Sequence, residues 1–237
     1  MAQQYPRGSR GAGDNSLRLG EGVARQETRT DGPETGLMKD APAGPLVPLV
    51  LRGNHVELHP LSPAHAPDLS SAVSLDGLWR IGVSNLPPPG GMEVYIAEAL
   101  ALQSAGKALP FAQIEKSTGR AVGSTRFGNY EPAHRRVEIG WTWLGTPWQR
   151  TAFNTEAKYL LLAHAFEVLG LNRVEFKTDV LNERSRKAIL RLGALEEGVL
   201  RRHMVMRDGR VRDSVYYSII AEEWPQVKEN LRRSLSA

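Results

Sequence analysis

The sequence predicts an α/β domain, a mixed seven-stranded sheet flanked by helices, and three observations carry that expectation. From residue 49 onward, stretches with an apolar repeat of two alternate with stretches of helical repeat. Residues 135–179 form a strand, helix, strand unit, whose right-handed crossover makes its two strands parallel. Elsewhere, short turns rich in Gly, Ser, Thr and Asp join strand candidates into antiparallel hairpins.

Taken in order, residues 1–46 are rich in Gly, Arg, Ser, Thr and Pro and show no period, so a disordered tail is expected ahead of one domain at 47–237. A short strand at 56–59 leads to Ser62-Pro63, which opens a helix to about residue 75. The proline-rich break at 86–91 separates it from a second helix at 92–105. Strands at 110–115 and 121–127 turn at Lys116-Ser117-Thr118-Gly119, and a third strand covers 135–144. A strand at 173–179 follows the central helix; Asn182 then caps a helix that runs through 192 and stops at Gly193. A hairpin, 200–206 with 211–220, turns at Arg207-Asp208-Gly209-Arg210, and a helix at 222–234 ends the pattern.

The stretch 147–169 organises the rest. Ala157, Leu161, Ala165 and Val168 recur on one face of its helix, and Leu160, Leu162, Phe166 and Leu169 fill much of the remainder, so the helix packs on the sheet. Asn154 or Thr155 is expected to cap its first turn. The amides of 150–153 then lie at the positive end of the helix dipole, beside Arg150, where an anion is favoured. Glu156, in the first turn, competes for the same dipole.

Composition narrows the function. The chain of 237 residues has no cysteine, which removes disulfides, thiolate nucleophiles and iron–sulfur clusters. No apolar run reaches the ~18 residues of a membrane span and the N-terminus lacks the apolar centre of a signal peptide, so a cytoplasmic protein without a membrane partner is expected. The six histidines show no metal-binding spacing, and there is no glycine-rich nucleotide loop with lysine. In the tail six basic residues cancel six acidic ones, so the net charge of +4 belongs to the domain, where it fits either a charged solvated surface or an anionic partner, a small molecule or nucleic acid. Nucleic acid is the weaker partner, because the arginines are scattered and those at 201–202 and 207–212 fall in a hairpin.

Four stretches, VEIGWTWL (137–144), WQRTAFNTEAKYLLLAHAFE (148–167), RVEFKTDVLNERSRKAILRLGA (173–194) and EGVLRRHM with DGRVRDSVYYSI (197–219), carry a family resemblance. The chain resembles the GNAT superfamily of acyl-CoA-dependent N-acetyltransferases, within it the Rim-type ribosomal-protein alanine acetyltransferases, over about 49–235. The resemblance implies a sheet splayed between its two parallel central strands, acetyl-CoA as cofactor, and direct transfer to an amine, either a protein N-terminal α-amine or that of a small molecule. It implies that Gln149, Arg150, Thr151, Ala152, Phe153, Asn154 and Thr155 bind the coenzyme A pyrophosphate. Ala152 and Asn154 replace the family's glycines there, so Asn154 must take a geometry that glycine tolerates or bend the loop. It places the Trp143 amide against the thioester carbonyl, with Leu144 beside the cofactor, and Asn182 and Arg186 in contact with it. Ser185 is the candidate proton donor to the thiolate. Glu138 is the candidate general base through water; the other reading of Glu138 is a strand carboxylate paired with Arg135 or Arg136. The other reading of Ser185 is an exposed first-turn serine, and of Arg186 a solvated helix arginine. Trp141, Trp143 and Trp148 either shape the acceptor side or belong to the core. A monomer or homodimer fits, and the rival function is an acyl-CoA-binding module without turnover.

Overall fold

The computed structural model of the chain describes residues 43–74, 86–206 and 208–236. The expected tail falls outside them except for 43–46. Those four residues lie on the domain: the Ala43 N–H donates to Pro132 O at 3.1 Å, the Tyr130 hydroxyl donates to Gly44 O, and Leu46 packs on the core.

Eight strands form one sheet among the described residues, in the spatial order β1 (Leu51–Arg52), β2 (Val56–Pro60), β3 (Ala108–Glu115), β4 (Ala121–Glu131), β5 (Arg136–Leu144), β6 (Arg173–Asp179), β8 (Val211–Ile220) and β7 (Leu195–Val205). Seven are the expected strands, and the two-residue β1 is an addition that pairs with Leu58 and Glu57. The helices are α1 (Ala66–Ser74), α2 (Met92–Ser104), α3 (Ala152–Ala163), α4 (Glu183–Arg191) and α5 (Trp224–Ser236).

Side-chain alternation gives the sheet two cores. On one face Leu109, Phe111, Phe127, Val137, Ile139, Val174 and Phe176 pack with α3 and α5. On the other, Ala112, Ile114 and Trp143 pack beneath Leu69 of α1 and Met92 and Ile96 of α2. Each fully buried Leu, Ile or Phe contributes about 1.5–3 kcal/mol relative to exposure.

Two strands outrun their expected bounds by four residues or more, for one physical reason. β4 continues to Glu131 through Asn129, at φ 48°, and β7 begins at Leu195, ahead of Gly198 at φ 151°. Both residues stand at β-bulges, so a local turn signal sits inside a paired strand. The central helix also differs. α3 passes into a π turn, His164–Val168, where the Leu169 N–H donates to His164 O at 3.0 Å. The extra residue rotates the side chains beyond it. Ala157, Leu161, Leu162 and Ala165 are fully buried, while Val168, expected on the same face, is 71 % exposed.

β5 and β6 are parallel, as the crossover requires, but pair only at Arg136/Arg173, Val137/Val174 and Glu138/Glu175. Every other neighbouring pair is antiparallel. Beyond Glu138 the two strands part, although β5 runs on to Leu144 and β6 to Asp179.

Candidate active site

The opening past Glu138 leads, at the carboxyl end of β5, into a 3₁₀ turn (Thr146–Trp148) and then α3. The cap of α3 is Thr151, neither Asn154 nor Thr155: its Oγ1 accepts from the Phe153 N–H at 3.3 Å and donates to Trp148 O at 2.7 Å. Asn154 and Thr155 lie inside the helix. The left-handed residue of the loop is Arg150, at φ 61°, so the strain anticipated at Asn154 sits earlier. In the first turn the N–H groups of Ala152 and Asn154 have no intrahelical acceptor.

Arg150, Thr151, Ala152 and Thr155 line one concavity of about 280 Å³, completed by Arg191 at the end of α4 and by Ser234 and Leu235 at the end of α5. Helix dipole, open amides and two guanidinium groups give it the charge and donors that suit an anion. Gln149 is used differently: its amide donates to Leu144 O at 2.7 Å and accepts from Arg184, tying the end of β5 to the start of α4. Phe153 leans on the core and Asn154 is half-buried. Glu156 does not compete for the dipole. Its carboxylate is 4 % exposed and accepts the N–H groups of Asn54, His55 and Val56 at 2.6, 2.8 and 2.9 Å.

Across the opening, Asn182 caps α4 by accepting from the Ser185 N–H at 3.0 Å, and Ser185 is half-buried in the first turn. The Arg186 guanidinium faces inward, donating to Tyr217 Oη at 3.1 Å and reaching Val180 O and Glu196 at 3.4 Å. It braces α4 against β8 and β7, which leaves Arg150 and Arg191 as the guanidinium groups at the concavity.

Glu138 is 3 % exposed at the last rung before the strands part. Its partners are neither Arg135 nor Arg136. Asn129 Nδ2 donates to Oε2 at 2.7 Å, and Lys177 Nζ of β6 stands 3.0 Å from the same oxygen. Arg136 pairs with Glu175 instead. Sequence alternation gives the facing of Glu138, whereas Lys177 is reached only through the register of two strands joined by a long crossover.

The three tryptophans separate. Trp143 is buried under α2, its Nε1 donating to Tyr95 Oη at 3.4 Å, and Trp148 Nε1 donates to Glu115 at 2.8 Å. Of the three, Trp141 alone is exposed, 37 % at φ 49°, beside a bulge of β4 with β5. Its ring covers Gly128, where a Cβ would come within 2.4 Å of it, so the glycine in β4 was the readable sign of a close approach. The Arg126 guanidinium stacks between this ring and Tyr95, 5.1 and 5.3 Å from their centroids. Beneath the sheet, Lys158 of α3 is 5 % exposed and donates to Thr125 Oγ1 at 3.2 Å and to Thr142 Oγ1.

A profile of the acetyltransferase (GNAT) domain matches residues 55–195. The chain belongs to the GNAT acetyltransferase family. Among solved structures this GNAT chain is similar to a GCN5-related N-acetyltransferase from Brucella melitensis, at 30% identity and a TM-score of 0.77, covering 84% of this chain and 90% of that one. It is similar to Mycobacterium smegmatis RimJ, solved in complex with CoA-disulfide, at 26% identity and a TM-score of 0.66, covering 83% and 95%. It is 37% identical over 106 residues to YdaF of Bacillus subtilis (strain 168), provisionally named a ribosomal N-acetyltransferase. That match covers 45% of this chain and 57% of YdaF, a little over half of the relative's length. No helix among the described residues is long and apolar enough to cross a membrane.

Proposed function

We propose that this GNAT protein moves the acetyl group of acetyl-CoA directly to a primary amine, with Glu138 taking the amine's proton through a water. The observation that carries the reading is the opening between β5 and β6, with a buried carboxylate at its root, and the α3 start that follows β5, where Arg150 and Arg191 line a concavity. Family membership and the RimJ and YdaF likenesses support it, and the ribosomal N-acetyltransferase name of YdaF favours a protein amine; the acceptor we propose is a protein α-amine in the cytoplasm.

The concavity fits a diphosphate: Arg150, Arg191 and the open amides of α3 offer charge and donors, and Thr151 fixes their direction. Acetyl-CoA, when bound, supplies an acyl group activated as a thioester. A protonated amine cannot attack it, so the first task of the chain is to remove a proton. Both protein contacts of Glu138 fall on Oε2, which leaves Oε1 to accept from a bridging water. Trp143 and Leu144 follow the last rung of β5, and the Trp143 amide is the proposed donor to the carbonyl oxygen as charge develops there. Ser185, held in its turn by the Asn182 cap, is the proposed source of the thiolate's proton.

The reading is tested by offering acetyl-CoA with peptides, simple amines and aminoglycosides and following free thiol. Glu138→Gln is expected to lower kcat/KM by about 10² or more for any acceptor that turns over. Equal rates at every pH would remove Glu138 from the mechanism. The second reading, an acyl-CoA-binding module without turnover, draws on the ion pair that engages Glu138 and on Arg150 in a left-handed position. Heat of coenzyme A binding with no thiol release from any acceptor would establish it.

A further inference from the structure

The face of β4, β5, β6 and β8 turned away from α3 holds more buried positive charge than the protein itself neutralises. Glu138 is paired with Lys177 at 3.0 Å, and Asp179 with Arg210 at 2.5 Å. Arg126 and Arg212 remain. They are 3 % and 8 % exposed, and the Nε of each is buried without a hydrogen-bond partner among the described residues; Arg212 feels the Asp179 and Glu138 carboxylates, which are already engaged by Arg210 and Lys177, but forms no ion-pair contact with either. Stacking between Tyr95 and Trp141 holds the Arg126 guanidinium in place but accepts none of its N–H groups. Buried cations of this kind destabilise a fold unless something outside it supplies the counter-charge.

The unpaired groups adjoin the proposed chemistry. Trp141 stands between Arg126 and Lys177, with Lys177 Nζ 6.0 Å from its centroid; Lys177 is 5.9 Å from the Tyr216 ring, which lies 5.6 Å from His203. Of the six buried side-chain atoms without a partner among the described residues, four are Arg126 Nε, His203 Nδ1, Arg212 Nε and Ser214 Oγ. Burial first, and then the nearby charges of Lys177 and Arg212, hold the His203 imidazole below its ordinary value, against the opposing pull of Glu138.

We infer that the acceptor is an amine that carries a carboxylate close to its nucleophilic nitrogen, with Arg126 and Arg212 pairing with that carboxylate while Glu138 faces the amine. Two sources share this chemistry: a peptide with Asp or Glu in its first few positions, and a free amino acid. Polyamines and aminoglycosides are excluded by the same charges. The inference rests on the acetyl-transfer reading and names the substrate class of that site.

The experiment uses the full chain with saturating acetyl-CoA and four acceptors: Ser-Asp-Glu-Asp, Ser-Gln-Asn-Gln and Ser-Lys-Arg-Lys peptides, and free glutamate. The expected result is a kcat/KM at least tenfold higher for the acidic peptide or for glutamate than for the neutral peptide, with the basic peptide slowest. Whichever of the first two turns over identifies the source. Arg126→Gln and Arg212→Gln are expected to collapse that ratio through KM, and Arg126→Lys to restore part of it. Far-ultraviolet dichroism separates this from misfolding. Equal rates for acidic and neutral peptides, with glutamate no faster than either, would overturn the inference while leaving acetyl transfer intact. If none of the four releases thiol, acetyl transfer to these amines fails, and calorimetry with the coenzyme A complex then decides the charge preference: tighter acidic-peptide binding sustains it and equal binding overturns it.

Discussion

Among the described residues the Lys158 ammonium has only hydroxyl groups as hydrogen-bond partners, and that makes its behaviour readable from stability alone. Thr125 and Thr142 accept from it and bond to each other at 2.8 Å, so they stay satisfied if the amine is removed. Burial lowers the ammonium from its ordinary 10.5 to about 7. Because the folded value lies below the unfolded one, the unfolded chain binds an extra proton between about 7 and 10.5. Stability from this group therefore rises with pH across that window, by up to about 1.4 kcal/mol per unit. Denaturant midpoints at pH 7, 8 and 9 should show this slope in the wild type and lose it in Lys158→Met; parallel slopes would refute the assignment. At Arg150 the left-handed backbone costs about 1 kcal/mol, so Arg150→Gly should raise the melting temperature while weakening coenzyme A binding. Glu138 was legible because Val137 and Ile139 flank it in a strand that alternates. Lys177 was not, since the alternation of RVEFKTD says only that it shares a face with Glu175 and Asp179, and Arg126 and Arg212 are seen to be unpaired only once the packing around them is known.

The central helix shows the same limit at the scale of an element. Its apolar face could be read from spacing as far as Ala165, and failed at Val168 because a five-residue turn leaves no mark in a repeat of 3.6. Beyond that turn, Glu167 accepts from Trp224 Nε1 and pairs with Lys228, both at 2.7 Å, so the rotated segment docks α5. At the other end, Glu156 serves a hairpin about a hundred positions earlier. A Cβ on Gly53 would lie 2.5 Å from its Cδ, so the hairpin and the carboxylate are fitted to each other. Glu156→Ala leaves three N–H groups without acceptors and is expected to cost about 2–4 kcal/mol in urea unfolding. A loss below about 0.5 kcal/mol would mean that water replaces the carboxylate at no cost. Strand order within hairpins was legible from turn residues; the bulges at Asn129 and Gly198 were not, since each residue mimics the end of a strand.

For the whole molecule, the sheet is joined across its middle by three rungs, between Arg136–Glu138 and Arg173–Glu175. The parallel relation of β5 and β6 was legible from one crossover. Where their pairing stops was expected only from the family resemblance, because no local residue encodes it. Coenzyme A should raise the melting temperature in proportion to the logarithm of its concentration once above its Kd, and a flat response to millimolar ligand would place its site elsewhere. The narrow joint also has a kinetic signature. In the free protein, backbone protons on the facing lips of β5 and β6 past Glu138 should trade with deuterium sooner than their strand-mates that point outward, although both belong to the same strands. Ligand wedged between the lips should slow the two sides together, at one shared concentration, because neither half of the sheet can pivot while the other is held.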